Sequence, residues 1–466
     1  MALNALGRHL ALIGFMGAGK TTIAPDVGAR LDRKLIELDA EIAGSTGEVV
    51  GAFGSKGEVF FRLQEAKHAL VALGGREPRV VSFGGGAVTS PSVREALHET
   101  AFTVLLDIEP GEAWRRVGGT RPLAQDEQQF RSLYAERDPL YRATADAVVP
   151  SGDSDGLVLA AAGVLHERGA LERLGELLPG DGPVALVADS TVMGIHGAAA
   201  QTALGDRLVS RHELPSGEQA KQLGVVARLW SELDLDRKGT VVALGGGALT
   251  DVAGFAASTY LRGVPWVAVP TTLVGQVDAG IGGKTAIDLP EGKNLAGAFH
   301  WPARVVIDEL LLETLPERER RQGVAELVKT ELLAGRTLDV RGAAAYKSAL
   351  CLRDPHDRGP RAWLNLGHTF AHALEAAAGF ELPHGEAVAL GLLAALRLSG
   401  RDPKPVVDAL DPQPVRVDRD AAWQALLRDK KRSGDEIVLV LLGDDGPTVE
   451  SRPADEVRQA LYTLIS

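Results

Sequence analysis

The stretch Asn365-Leu-Gly-His368-Thr-Phe-Ala-His372-Ala-Leu-Glu375, followed by His384-Gly-Glu386, gathers three of the chain's eleven histidines into seventeen residues. On a helix, His368 and His372 project from one face one turn apart, a geometry that suits a metal ion. The order is not the His-Glu-x-x-His of zinc proteases, so carboxylates and cations elsewhere must complete any site. Near the other end, Gly14-Phe-Met-Gly17-Ala18-Gly19-Lys20-Thr21-Thr22 contains G-x-x-x-x-G-K-[ST]. In that pattern backbone amides wrap nucleotide phosphates, the lysine (Lys20) neutralises them and the hydroxyl (Thr21) ligates Mg²⁺. A third signal, Thr240-Val-Val-Ala-Leu-Gly245-Gly246-Gly247-Ala-Leu-Thr-Asp251, places a glycine triplet after an apolar run. Such a triplet lets a pyrophosphate approach the backbone at a helix N-terminus, but it is not G-x-G-x-x-G and is weak alone.

These motifs need strands and helices to hold them. Residues 9–14 read as a buried strand and Lys20 onward as a helix, the context that a phosphate loop requires; further strands fall at Val80–Phe83 and Phe102–Leu106, separated by helical patterns. Ser151–Gly156 reads as a loop, with helices near 157–168 and 170–178 before the breaker Pro179-Gly-Asp-Gly-Pro183. Strands then recur at Val184–Ala188, Thr240–Leu244 and Trp266–Val269. From about 313 helical Ala/Leu/Glu/Arg patterns take over, and 401–415, with four prolines, reads as a loop or linker. The expected class is α/β: a P-loop parallel-sheet domain over 1–165, a Rossmann-like domain over 166–312 and a mainly helical domain over 313–466.

Composition removes several function classes. A net charge of −12 disfavours nucleic acid, which needs a basic footprint. No apolar run approaches the ~18 residues of a membrane span. Leu10–Ile13 runs straight into the glycine loop without a basic region and cleavage site, so cytoplasm is the expected address. The single cysteine, Cys351, excludes an internal disulfide framework. Small anionic ligands remain open to local Lys and Arg clusters.

The set Glu37-Leu-Asp39, Phe61-Arg62, Ser82-Phe-Gly84-Gly85-Gly86-Ala87, Thr120-Arg121-Pro122-Leu123 and Pro139-Leu-Tyr-Arg142 resembles shikimate kinase in order and spacing, over residues 5–165. The resemblance implies that Asp39, Arg62, the Gly84–Gly86 backbone and Arg142 hold shikimate, with both arginines on its carboxylate. A guanidinium fork binds a carboxylate bidentately, and two of them fix its orientation. It further implies that Asp39 orients the attacking hydroxyl, that Arg121 belongs to a lid closing over the phosphates, and that Arg116 packs on adenine. Glu37 stands where the family usually has aspartate, in the position that helps Thr21 hold Mg²⁺.

Residues 164–466 resemble 3-dehydroquinate synthase, through Leu214-Pro-Ser-Gly-Glu218-Gln-Ala-Lys221, the triplet at 245–247, Arg262-Gly263, Pro270-Thr271-Thr272-Leu-Val-Gly-Gln-Val-Asp278, Gly282-Gly-Lys284-Thr285, Lys293-Asn294, Glu326-Leu-Val-Lys329 and the histidine cluster. By that similarity Glu326, His368 and His384 ligate Zn²⁺ or Co²⁺. Asp189, Glu218, Lys221, Gly245–Gly247, Asp251, Thr271, Thr272, Lys284 and Lys293 line an NAD site. The implied substrate, 3-deoxy-arabino-heptulosonate 7-phosphate, would meet Lys284, Lys347 and Arg361 at its carboxylate and Arg262, Lys293, Asn294 and one of Lys430/Lys431 at its phosphate. Lys329, Asn365, His372 and Asp278 would surround the reacting centre, with His372 a non-ligand and Glu375 structural. Oxidation at one carbon would acidify the neighbouring C–H for phosphate elimination, and reduction would then regenerate the cofactor. The family's first strands appear trimmed in favour of a helix at Leu165–Leu178.

The resemblances imply a bifunctional, homodimeric enzyme acting on small molecules. Two alternatives stay open: a related sugar-phosphate cyclase or polyol dehydrogenase in the C-terminal half, or a nucleotide-binding module without kinase activity in the N-terminal half.

Overall fold

The computed structural model describes residues 3–46, 49–120, 123–429, 432–433 and 436–466, with side chains described outside 45–56 and 429–435. The chain divides into two compact units between Val164 and Leu165.

In the first unit, β1 (His9–Ile13), β2 (Leu35–Glu37), β3 (Val80–Ser82), β4 (Ala101–Asp107) and β5 (Ala147–Pro150) form one sheet in the order β2-β3-β1-β4-β5. Every pairing is parallel. β1 is central and buried along its whole length, as an apolar run covered on both faces should be. The phosphate loop leaves its carboxyl end and enters the helix Lys20–Leu31.

The end of this unit differs from expectation. A helix starts at Ser154, inside the expected loop, because the Asp153 carboxylate accepts the Gly156 amide at 2.9 Å and caps it. It stops at Ala161, with Gly163 at φ 74°, and Val164–His166 then forms β6 where a helix was expected. The expected helix at Leu165–Leu178 is thereby corrected: β6 adds to the edge of the next sheet, and helical turns begin only at Ala170.

In the second unit, β7 (Val184–Asp189), β8 (Leu208–Leu214), β9 (Thr240–Gly245) and β10 (Trp266–Pro270) are followed by a hairpin of β11 (Lys284–Leu289) and β12 (Gly292–Phe299), and by β13 (Arg304–Ile307). The sheet order is β6-β13-β10-β9-β7-β8, parallel from β13 to β8. The order reverses between β7 and β9, so a crevice opens at their carboxyl ends, where open α/β sheets bind ligands.

The chain beyond β13 is helical as far as Asp429, including Lys404–Leu410 inside the expected linker. There two of the four prolines, Pro403 and Pro405, lie at the start of the helix, where a missing N–H costs nothing, and the other two lie beyond its end. Arg432–Ser433 (β14), Glu436–Gly443 (β15) and Gly446–Pro453 (β16) form an antiparallel sheet in a region expected to be helical. Ile437, Leu439 and Leu441 alternate inward with strand period and join Leu426, Val457 and Leu461 in one core.

The helices Glu317–Ala334, His368–Ala377 and His384–Leu398 approach at backbone distance. A Cβ on Gly385 would lie 2.5 Å from Gln322 Cα, and one on Gly391 would lie 2.1 Å from the Gly367 carbonyl oxygen. Gly391→Ala must therefore open this crossing. The expected outcome is a loss of about 1–3 kcal/mol, read as a lower denaturant midpoint; an unchanged midpoint would mean that the crossing yields freely.

Candidate functional sites

In the first unit a cavity of about 480 Å³ is lined by Gly17, Lys20, Thr21, Glu37, Asp39, Gly84, Gly85 and Arg116, among others. Gly19 precedes the first helix at φ 77° with no side-chain cap, which leaves amides available for phosphate oxygens. Lys20 Nζ donates to the carbonyls of Gly14 at 2.7 Å and Phe15 at 3.1 Å. Beneath the loop, the Phe15 ring meets Phe130 and Tyr134 edge-on at 5.0 and 5.1 Å. Arg116 donates to the Gly17 carbonyl at 2.9 Å and Ser151 Oγ at 2.7 Å, at the edge of the loop.

Glu37 ends β2 and Asp39 lies in the first turn of the next helix. Burial, then the charge of Asp39, pushes the Glu37 carboxyl up, and its Oε1 is buried without a hydrogen-bond partner among the described residues. A desolvated, unsatisfied carboxylate oxygen sharing a cavity with Thr21 fits a divalent cation. Arg121 lies outside the described residues.

Arg62 and Glu65 sit one turn apart on the helix Val49–Leu73, with Arg62 donating to Glu65 Oε2 at 2.6 Å. Burial raises the Glu65 carboxyl, and the Arg62 guanidinium opposes that shift. A Cβ on Gly86 would fall 1.7 Å from the guanidinium, so glycine there is a space requirement. Arg142 does not join this cluster. It is exposed, paired with Asp138 at 2.8 Å and Asp107 at 3.1 Å. Arg137 takes its place: it is 5% exposed and donates to the Gly85 carbonyl at 3.1 Å, which also accepts from the Tyr141 hydroxyl. Five residues on a helix turn a side chain by about 140°, so the two arginines cannot share a face. The signal for Arg137 was its spacing from Phe130 and Tyr141, which form the buried face of the same helix.

In the second unit, Asp189 ends β7 and Gly245 ends β9, on either side of the crevice. Gly246 precedes the helix Gly247–Thr259 without a side-chain cap, and Thr272 packs against it. Asp189 Oδ1 accepts the Thr191 and Val192 amides and the Ser216 hydroxyl, so one of its two carboxylate oxygens is already engaged. Thr271 N donates to the Gly245 carbonyl at 3.0 Å. Lys221, 3% exposed, donates to Asp251 at 2.7 Å and to Asn294 Oδ1. Burial pushes the Asp251 carboxyl up to about 6 although Lys221 opposes it. Lys293 pairs with Glu218 at 3.3 Å and lies 4.9 Å from the centre of the exposed Phe380 ring.

Glu326, His368 and His384 bring one ligand atom each within 4.8 Å of one another. His384 Nε2 lies 3.1 Å and His368 Nε2 3.3 Å from Glu326 Oε1. The opposite ring nitrogens are held as well, His368 Nδ1 by the Leu366 carbonyl at 3.2 Å and His384 Nδ1 by Glu375 Oε1 at 3.0 Å. Glu375 is thus more than scaffold, since a carboxylate on the far nitrogen fixes ring orientation and strengthens the donor. Against burial, Glu326 and Glu375 push the His384 ring up to about 10. Burial and then the Lys329 charge lower the His368 ring, so the two rings differ; it is the convergence of two imidazoles and one carboxylate that fits a catalytic divalent cation with positions left for substrate oxygens. His372 is exposed and outside the triad, its ring 5.6 Å from that of His368.

Cations continue from this centre. Lys329, 1% exposed, pairs with Glu326, and Lys347 Nζ donates to the backbone and side-chain oxygens of Asp278 at 2.6 and 2.5 Å. Burial alone would raise Asp278; Lys329 and Lys347 hold it below the usual range. Arg361 is buried and donates to the carbonyls of Gly282 at 2.9 Å and Pro355 at 3.2 Å. Lys284 contacts Asp357, and Asn365 closes the turn Pro360–Asn365 before the His368 helix. Arg262 is exposed on a turn where Leu261 and Arg262 both have positive φ, and no described hydrogen bond or ion pair joins it to the other site residues. Lys430 and Lys431 lie outside the described residues.

Three family models match, one in the first unit and two in the second. Shikimate kinase matches residues 16–162; 3-dehydroquinate synthase matches with its N-terminal part over 211–322 and its C-terminal part over 337–409. A bifunctional shikimate kinase/3-dehydroquinate synthase of Thermotoga maritima is 33% identical over 471 residues, covering 91% of this chain and 93% of that relative. The chain belongs to the bifunctional shikimate kinase/3-dehydroquinate synthase family. A 3-dehydroquinate synthase of Symbiobacterium thermophilum is 43% identical over 268 residues, 52% of this chain and 74% of the relative. Among solved structures, a 2-deoxy-scyllo-inosose synthase complexed with carbaglucose-6-phosphate, NAD⁺ and Co²⁺ is similar with TM-score 0.58 and 25% identity, over 64% of this chain and 95% of that one.

Within this kinase/synthase fusion Arg137 and Arg142 of the Glu127–Thr144 helix make contrasting predictions. Arg137→Ala should raise the KM for shikimate at least about tenfold, the loss expected for a charge-assisted hydrogen bond, while Arg142→Ala stays within about twofold. Steady-state kinetics on both variants checks this, and the reverse ranking would restore Arg142 to the site.

Proposed function

We propose that the chain phosphorylates the 3-hydroxyl of shikimate with ATP in its first unit. In its second unit it converts 3-deoxy-arabino-heptulosonate 7-phosphate to 3-dehydroquinate with release of phosphate. The observation that carries the reading is that a relative bearing both activities in its name aligns with 91% of the chain, and each unit holds a cluster of the corresponding chemistry. The enzyme is therefore a phosphotransferase and a carbon–oxygen lyase of the shikimate pathway. Cytoplasmic location and homodimerisation through the second unit belong to the same reading, as does treating 166–312 and 313–466 as separate domains.

In the kinase unit the amides of Gly17–Gly19 and Lys20 would hold the phosphates, with Thr22 beside them and Arg116 against the adenine. Thr21 and Glu37 would hold Mg²⁺, which neutralises charge on the transferred group. Arg62 and Arg137 would clamp the shikimate carboxylate across Gly84–Gly86, leaving Asp39 to orient the attacking hydroxyl and Arg121 to close from the lid. Phosphoryl transfer asks little more of a protein than this positioning and charge compensation.

In the synthase unit Asp189, Glu218, Lys221, Gly245–Gly247, Asp251, Thr271 and Thr272 would hold NAD, which supplies a reversible hydride acceptor. Glu326, His368 and His384 would hold Zn²⁺ or Co²⁺, which polarises the substrate oxygens. Lys284, Lys347 and Arg361 are assigned to the substrate carboxylate; Arg262, Lys293, Asn294 and Lys430 or Lys431 to its phosphate. Lys329 keeps Glu326 ionised, while Asp278, Asn365 and His372 orient hydroxyls and exchange protons at the open side of the centre. The alternative cyclase reading uses a carboxylate-free substrate, for which the buried cations Lys347 and Arg361 have no purpose.

The deciding measurement is shikimate-dependent ADP formation with Mg²⁺, by the full chain and by Lys20→Ala. Turnover in the former, reduced by a factor of about 100 or more in the latter, is expected from the loss of a phosphate-bound ammonium. Absent turnover, with phosphate release from the heptulosonate intact, would instead make the first unit a nucleotide-binding module. Phosphate release from the heptulosonate should be abolished by a chelator and restored by Zn²⁺ or Co²⁺; activity indifferent to chelation would contradict the metal assignment.

A further inference from the structure

The loop 354–360 follows the helix Val340–Arg353 and is organised by Asp354, whose carboxylate accepts the amides of Arg358 at 2.9 Å, Gly359 at 2.6 Å and Arg361 at 3.3 Å. That frame holds Asp357 at φ 55°, in the left-handed region that aspartate and asparagine tolerate better than most residues. The Asp357 carboxylate accepts from the Lys284 ammonium at the start of β11. The aspartate side chain is 22% exposed and the lysine 50%, so the pair sits where solvent and ligands reach it.

The rest of the arrangement is unsatisfied. Asp357 Oδ1 is buried without a hydrogen-bond partner among the described residues, and so is Arg361 Nε. His356 adds an edge-on contact to Phe299, the last residue of β12, at 5.4 Å, which ties the loop to the hairpin bearing Lys284. An internal carboxylate therefore occupies one cation assigned to the substrate's carboxylate, while a donor of the second cation stands unused. Holding a desolvated oxygen in this way costs the resting protein free energy, which is recovered if the aspartate can leave.

We infer that Asp357 is an internal substitute for the substrate carboxylate, a positioning residue that holds Lys284 between turnovers, is displaced by the incoming acid and retakes the lysine as product leaves. The inference rests on the reading that Lys284 and Arg361 receive the carboxylate of the heptulosonate. Exchange of one carboxylate for another leaves the ammonium paired throughout, so neither binding nor release passes through an isolated charge. The heptulosonate and 3-dehydroquinate both carry the acid and both compete with Asp357. A ligand without the acid leaves the pair in place.

Asp357→Asn and Asp357→Gly both accept the left-handed backbone while removing the charge, and together they separate charge from folding. With each variant, the KM for the heptulosonate and the inhibition constant of 3-dehydroquinate are expected to fall together about three- to fivefold, the range of a partly exposed ion pair. Affinity for carbaglucose 6-phosphate, which has the phosphate but no carboxylate, is expected to stay at the wild-type value. Unchanged or raised constants for the two acids in both variants would overturn the inference, as would equal tightening of the carboxylate-free ligand. Wild-type protein that releases no phosphate from the heptulosonate overturns the underlying reading, and the inference with it.

Discussion

Glu326 has no exposed surface and still carries its charge, because Lys329, His368 and His384 oppose the desolvation that would otherwise protonate it. An unpaired carboxylate at that depth is among the most expensive features a fold can contain. Its neighbours must therefore be delivered together, by helices that cross closely enough for three side chains to meet. The contacts of Gly385 with Gln322 and of Gly391 with Gly367 make that approach possible, and the apolar core around Phe370, Val388 and Leu392 keeps it in place. Metal affinity, helix packing and the electrostatics of the second unit are in this sense one problem.

The first unit offsets its own buried acid less completely, since burial still raises the Glu65 carboxyl against the opposing Arg62 charge. Glu65, 1% exposed, sits under Arg62 with Arg137 nearby, and the glycine run at 84–86 supplies the room that the Arg62 guanidinium occupies. The acid orients the arginine, and the arginine makes burial of the acid tolerable. A guanidinium fixed in this manner loses little entropy when it meets a second, external carboxylate.

Much of this was legible in the sequence. The phosphate loop and the strands at 9–13, 184–189, 240–245 and 266–270 follow from local motifs and apolar runs, whereas the triad of Glu326, His368 and His384 follows from the family resemblance, since local spacing alone pairs His368 with His372. The motif points to Arg142 because it fixes which residues lie close in sequence, whereas the face of the helix, and with it Arg137, is set by what it packs on. Glu375 was undervalued because nothing local to it reveals that His384, nine residues on, turns its second nitrogen toward it. The strands of β14–β16 were lost among helical neighbours, although Ile437, Leu439 and Leu441 alternate with period two. The Lys404–Leu410 helix was hidden by prolines that mark its first turn.

The β11–β12 hairpin carries Lys284, Lys293 and Asn294, and both of its lysines are touched by the helical part of the unit, Lys284 by Asp357 and Lys293 by Phe380, beside the Glu218 pair at Lys293. Phe380 itself stands on the segment between the helices bearing His368 and His384, at φ 64°. The hairpin is thereby anchored at two points to the helical part of the unit, at Lys284 to the loop after the helix Val340–Arg353 and at Lys293 to the segment between the two histidine-bearing helices.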